Sequence, residues 1–191
     1  ALAINPNMTY VFANIEDTDV IVAKSLLEKV AAGKEYTIFK EISGEKLVGL
    51  EYKPLFDGEI FAKNPAGNYY ENSVKNLAKI WPADYVSEEN GTGIVHIAPV
   101  YGEEDYDLAR KNGVPARETL DENGFYWPEI SRKFNEIFAE SFGENFREIL
   151  KKAEVKTDEN GNYEAFSANK MLAKALEKTK VICKIGMNKH L

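Results

Sequence analysis

Turn-forming residues interrupt this sequence so often that no strand in it can be long. Gly33, Gly44, Gly49 and Pro54 punctuate its first third. Asn64-Pro65-Ala66-Gly67-Asn68, Glu88-Glu89-Asn90-Gly91, Pro99, Gly113, Asp121-Glu122-Asn123-Gly124 and Asp158-Glu159-Asn160-Gly161-Asn162 divide the rest. Gly, Pro and Asn-Gly each end a regular run for a separate steric reason. Between these stops lie short apolar stretches of strand type at 10–13, 36–42, 50–52, 79–81, 85–86, 93–98 and 181–185.

Helical spacing is confined to a few segments. Val20, Ala23, Leu27 and Val30 recur at that spacing after Asp17-Thr18-Asp19, which offers N-cap chemistry, and Gly33 follows. This predicts a helix over 17–32. A second helix is expected over 103–112, closed by Gly113. A charged helical region follows over 130–152, and Ser167 caps a helix over 168–178 with Met171, Leu172, Ala175 and Leu176 apolar. Regular alternation of strand and helix is absent, which argues against a doubly wound sheet. The pattern predicts an α+β fold, a β-barrel-like core of short strands with peripheral helices.

Length and charge narrow the function. The 191 residues suit a single domain over 1–191. There are 24 Lys and Arg against 31 Asp and Glu, a net charge of −7. Wrapping duplex nucleic acid needs clustered cations to displace counterions, so duplex DNA is not an expected partner. Contact with the end of one strand stays open, because few phosphates need neutralising there. Cys183 is the only cysteine, which excludes an internal disulfide and a Cys-based zinc site. His96 and His190 cannot form a His cluster, so no metal site is expected. No apolar run approaches the roughly 18 residues of a membrane span. The chain starts Ala1-Leu2-Ala3-Ile4-Asn5-Pro6, without an initiator Met or a charged leader, and reads as an excised fragment.

The densest stretch runs Gly91-Thr92-Gly93-Ile94-Val95-His96-Ile97-Ala98-Pro99-Val100-Tyr101-Gly102-Glu103-Glu104-Asp105-Tyr106. In an extended strand Ile94, His96 and Ala98 point one way, Val95 and Ile97 the other. Asp105 falls in the first turn of the next helix and shares a face with Leu108, Ala109 and Asn112, so it faces the protein body. Asp107 instead pairs in spacing with Arg110 and Lys111 at the surface. A strand, a tight loop and a helix start can bring His96 and Asp105 to one mouth. Each also has an ordinary structural reading. His96 could be a satisfied core histidine, Asp105 a first-turn carboxylate and Gly91 and Gly93 turn residues. The Gly-Thr-Gly run is not a phosphate loop, since it lacks the Gly-Lys-Ser/Thr ending. No serine sits in a nucleophile-elbow context, so water is the expected nucleophile.

This stretch resembles the GTGxVHxAPxxGxxDY signature of the editing (CP1) domain in isoleucyl-tRNA synthetases, which are class I aminoacyl-tRNA synthetases. Valyl enzymes usually carry Lys where this chain has His96, and leucyl enzymes depart from the HxAP pattern. Further similarity lies in ALAINP at the start, GLEYKPLF from Gly49, ADYVSEENGTG from Ala83, ANKMLAKAL from Ala168, and His190. The resemblance covers most of 1–128 and 166–191. The segment 131–165 is longer than the family pattern and reads as an insertion. The family's threonine-rich segment lies upstream of the ALAINP position and is absent here, so the isolated fragment is expected to hydrolyse weakly or not at all.

The resemblance implies hydrolysis of the ester in mischarged Val-tRNA(Ile), as part of a cytoplasmic isoleucyl-tRNA synthetase. Isoleucine exceeds valine by one methylene, which a single pocket discriminates by only about 1–3 kcal/mol; isoleucyl-tRNA synthetase is itself the usual illustration of that limit. A second pocket too small for isoleucine supplies the remaining selectivity. The matching Asp105 would hold the substrate α-ammonium through a charge-assisted hydrogen bond. His96 would line the side-chain pocket and position water. Asp105 and His96 are the candidate catalytic residues. Thr92, Gly93 and Ala98 join them as candidate substrate contacts. The expected partners are the 3′-acceptor end of tRNA(Ile) carrying valine and the rest of the synthetase chain. No cofactor is expected in this fragment; ATP and Mg belong to the parent enzyme, whose HIGH and KMSKS motifs are absent. Two alternatives remain: a non-catalytic module that positions the acceptor end or packs between domains, and a valyl-type domain clearing Thr-tRNA(Val).

Overall fold

The computed structural model describes residues 1–54, 73–89, 91–122, 126–130, 132, 156–157 and 163–164. Where the sequence reads as one domain, internal contacts divide the chain into two compact units, Ala1–Arg117 and Glu118–Leu191. The expected insertion at 131–165, the helix at 168–178 and the strand at 181–185 lie almost wholly outside the described residues.

The first unit carries two small sheets. In one, β1 (Leu2–Ile4) is central, parallel to β5 (Ile80–Pro82) and antiparallel to β6 (Ile94–His96). In the other, β2 (Thr9–Ile15) lies between β3 (Thr18–Ala23) and β4 (Tyr36–Ser43), both antiparallel to it. Two short helices, α1 (Leu27–Ala31) and α2 (Ser73–Leu77), and a longer one, α3 (Glu103–Asn112), complete it. The fold is α+β with short strands, as the sequence predicts. Among the described residues the strands form three separate sheets and close no barrel.

The helix expected over 17–32 is also corrected. Its first half is β3, and only Leu27–Ala31 is α-helical, after a 3-10 turn at Lys24–Leu26. Val20-Ile21-Val22 is a run of β-branched residues, which lose side-chain freedom in a helix and suit a sheet. Ile15 pairs with Thr18, leaving Glu16 and Asp17 as a two-residue hairpin loop. Glu16 takes φ +53, the positive value such tight hairpins need at the first loop position. Its carboxylate pairs with Lys34 Nζ at 2.8 Å. The helical spacing of Val20, Ala23 and Leu27 is therefore coincidental. The strand expected at 85–86 is instead the end of a turn at Tyr85 followed by irregular chain at Val86, and that at 50–52 is reduced to a single bridge between Glu51 and Lys79.

Residue pairing in the β1-centred sheet decides where its two faces look. Leu2, Ile4, Ile80, Ile94 and His96 share one face. Apart from His96 these residues join the main core, with Tyr10, Val11, Val22 and Leu47 fully buried there. Each such side chain removed from water contributes about 1.5–3 kcal/mol before entropy is counted. Ala3, Trp81 and Val95 share the other face. Ala3 and Trp81 cluster with Ala83, Val86, Ile97 and Leu108, so α3 covers that side.

In the second unit, Leu120 bridges Tyr126 across the predicted turn at 121–124. A two-stranded ribbon of β7 (Lys156–Thr157) and β8 (Tyr163–Glu164) flanks the predicted turn at 158–162.

Candidate functional site

The approach to the site is a tight turn at Thr92-Gly93. The Ala23 N–H donates to the Thr92 carbonyl at 2.8 Å, and the buried Tyr10 hydroxyl donates to the Gly93 carbonyl at 2.7 Å. Tyr10 in turn accepts the Asn5 N–H at 3.1 Å. Gly93 has φ +74, and a Cβ there would lie 2.5 Å from the Ala23 Cβ. Glycine is thus required by both conformation and space. Gly93 is buried in this packing, and it joins β6 to the second sheet. The Thr92 side chain is exposed; its Oγ1 accepts the Ile94 N–H at 3.3 Å and donates to the Ile94 carbonyl at 3.2 Å. That local bond orients the turn.

From there β6 carries His96 to its C-terminal end, paired with Leu2. Ile97 N–H donates to the Ala1 carbonyl at 3.0 Å, which continues the alignment for one residue. The chain then turns, with Tyr101 N–H donating to the Ala98 carbonyl at 2.9 Å, and enters α3 at Gly102. Glu103, Glu104 and Asp105 occupy the first turn of α3, where the helix dipole favours anions; Arg110 and Lys111 occupy the last. Gly113, at φ +63, ends the helix as predicted. Leu108 and Ala109 are buried and Asp105 and Asn112 half-buried, the face the spacing predicts.

The Asp105 carboxylate is the centre of this region. Its Oδ2 accepts the Ala98 N–H at 2.8 Å, and its Oδ1 accepts the Tyr85 hydroxyl at 2.7 Å. Gly102 lies over it: a Cβ there would stand 3.4 Å from Oδ2. A carboxylate offers about four acceptor positions. Two are occupied, and each oxygen keeps capacity for a further donor. Burial first, and then the hydrogen bond to Asp105, raise the Tyr85 phenol far above its ordinary value. Tyr85 therefore stays protonated and donates throughout the physiological range.

His96 is exposed, yet enough protein surrounds the imidazole to penalise its cation. Desolvation lowers its pKa, and the Asp105 carboxylate opposes that shift. The His96 ring and the Asp105 carboxylate thus share one electrostatic neighbourhood. His96 belongs to the Leu2 face of the sheet and α3 packs on the Ala3 face. The two candidates thus belong to opposite faces of the sheet, and the Asp105 carboxylate acts on His96 as a charge. Ala98 itself is half-buried and contributes its backbone N–H to Asp105.

Tyr85 has no role legible in the sequence. It stands 20 positions from Asp105, and no spacing rule links a turn residue to a later helix start. An open hollow of about 430 Å³ lies elsewhere, lined by Asn14, Glu16, Lys34, Glu35, Tyr36 and Thr37. None of the candidate residues lines it, and the Lys34–Glu16 ion pair does. Among the described residues no group of His, Cys, Asp and Glu could hold a metal ion, and no helix is long and apolar enough to cross a membrane.

Comparison with known proteins adds a family. No family model matches the chain. It is 35% identical over 132 residues to the isoleucine–tRNA ligase of Treponema pallidum (strain Nichols), which is 69% of this chain and 12% of that protein. The chain is a homologue of isoleucine–tRNA ligase. The ligase of Clostridium novyi (strain NT) is 41% identical over 124 residues, 65% of this chain and 11% of its own length. That of Rickettsia prowazekii (strain Madrid E) is 38% identical over 135 residues, 68% of this chain and 11% of its own. The chain thus spans 11–12% of the length of these three isoleucine–tRNA ligases. Its fold is that of GlLeuRS-CP1, which superimposes with a TM-score of 0.51 at 16% identity, over 98% of this chain and 78% of that one.

Proposed function

We propose that this chain is the editing module of an isoleucyl-tRNA synthetase and hydrolyses the ester linking valine to tRNA(Ile). The observation that supports it is the Asp105 carboxylate, fixed at a helix start on two protein donors and still able to accept more, within electrostatic reach of His96. An aminoacyl ester carries an α-ammonium next to the scissile carbonyl. Asp105, kept anionic by the positive end of α3, would bind that ammonium by charge-assisted hydrogen bonds. His96, held neutral near pH 7 by its lowered pKa, offers one donor and one acceptor nitrogen. It would limit the side-chain space to valine and orient a water toward the carbonyl. Water attacks the carbonyl carbon, the bond to the ribose oxygen breaks, and valine and uncharged tRNA leave.

The test is to present Val-tRNA(Ile) and Ile-tRNA(Ile) to this chain, alone and within the intact synthetase. Faster release of valine than of isoleucine supports the reading. Equal release of both, or no release in the intact enzyme, overturns it.

A second reading is favoured by one observation. Both Asp105 oxygens already serve the fold, as expected of a purely structural clamp in a non-catalytic positioning module. That reading requires Val-tRNA(Ile) to bind the chain without the selective loss of valine in the intact enzyme.

A further inference from the structure

We infer that Tyr85 is a positioning residue for ammonium recognition, holding the Asp105 carboxylate in the orientation that leaves its free lone pairs open to substrate. The inference rests on the proposed editing function and adds a residue to it. A carboxylate with a single partner can rotate about its Cβ–Cγ bond. Asp105 has one donor on each oxygen, the Ala98 N–H on Oδ2 and the Tyr85 hydroxyl on Oδ1. Two donors on opposite oxygens define the plane of the group, and the unused lone pairs then have fixed directions.

The two donors come from separate parts of the chain that Asp105 ties together. Tyr85 follows β5 in a turn whose neighbours are anchored: the Ala83 N–H donates to the Ile4 carbonyl at 2.8 Å, and the Val86 carbonyl accepts the Asn5 side-chain amide at 3.0 Å. Tyr85 also packs against the cluster of Ala3, Ala83, Val86, Ile97 and Leu108. Its ring is thus held by apolar contacts while its hydroxyl reaches the carboxylate. A phenylalanine at 85 keeps those contacts and removes only the donor.

The experiment compares this chain with Tyr85→Phe in two measurements. The first is amide hydrogen exchange by NMR without ligand. Losing the Oδ1 donor frees the carboxylate to leave Ala98, so the Ala98 amide should exchange about fivefold faster, the scale of one modest hydrogen bond. The Tyr10 and Val22 amides in the core, as controls, should not change. Unaltered exchange at Ala98 overturns the positioning role whatever the substrate. The second is calorimetric binding of two probes, the 3′-amide of valine with 3′-amino-3′-deoxyadenosine and the same compound lacking the α-amino group. Tyr85→Phe should weaken the amine-bearing probe about fivefold and leave the other unchanged. Equal weakening of both means Tyr85 merely shapes the loop, and the inference falls. If wild-type protein binds both probes equally while Ala98 exchange still responds, the ammonium reading of Asp105 has failed and the positioning geometry has not.

Discussion

The Asp105 carboxylate accepts the backbone N–H of Ala98 at 2.8 Å, so the side chain proposed to bind substrate also closes the loop between β6 and α3. Recognition and local folding meet in one group. Substitutions at 105 therefore act on both, and the consequences can be separated by shape.

Asp105→Ala should abolish valine release from Val-tRNA(Ile) and lower stability. It leaves the Ala98 N–H and the Tyr85 hydroxyl without their acceptor, a cost of about 1–3 kcal/mol, toward the low end because both residues are half-buried and water can reach them. Asp105→Asn keeps the volume and one acceptor, so it should melt closer to the wild type while remaining inactive. Deacylation assays alongside urea titrations check both; wild-type activity in Asp105→Asn would remove the ammonium anchor.

His96→Ala should leave the fold intact, since His96 is exposed and its paired residue Leu2 retains its core contacts. It should enlarge the side-chain space and narrow the ratio of valine to isoleucine release by about tenfold, the scale of one methylene. Single-turnover rates on the two charged tRNAs give the ratio. An unchanged ratio takes His96 out of the pocket.

Stability should fall as pH drops. The folded pKa of His96 lies below its ordinary 6.5, so the unfolded chain binds the proton more readily. The stabilisation is complete above the unfolded value and is lost as pH falls through it toward the folded one. Urea midpoints should thus decline from pH 6.5 downward through His96. His96→Gln should flatten that decline. A midpoint that rises on acidification through this range contradicts the assignment.

Gly93→Ala should be strongly destabilising, by about 1–3 kcal/mol for overpacking with an added penalty for positive φ. The new Cβ would meet Ala23 at 2.5 Å, in a packed region where the Tyr10 hydroxyl also binds the Gly93 carbonyl. Gly91→Ala, at φ +75 but with open space around it, should cost less. Chemical denaturation of the two variants tests the ranking; equal losses would show that space at Gly93 is not limiting.

Helix α3 was legible because everything that defines it is local. Its acidic first turn, its basic last turn and Gly113 all lie within one short segment. The segments 121–124 and 158–162 read as turns for the same local reason, and the residues flanking them pair, Leu120 with Tyr126 and Lys156–Thr157 with Tyr163–Glu164. The segment 17–32 was misread because apolar residues in β3 happen to fall at helical spacing, while pairing with β2 outweighs that local preference.

Sequence alone determined where regular runs must stop, the charge that disfavours duplex binding, and the nine-residue separation of His96 from Asp105 on a strand end and a helix start. These follow from covalent order and local conformation, which extend only a few residues. Tertiary structure decided that Tyr85 and Ala98 hold the two Asp105 oxygens, that Gly93 packs on Ala23, and that His96 and α3 serve opposite faces of one sheet. Those relations depend on which strands pair and which faces are covered, and non-local pairing is set by burial across the whole unit.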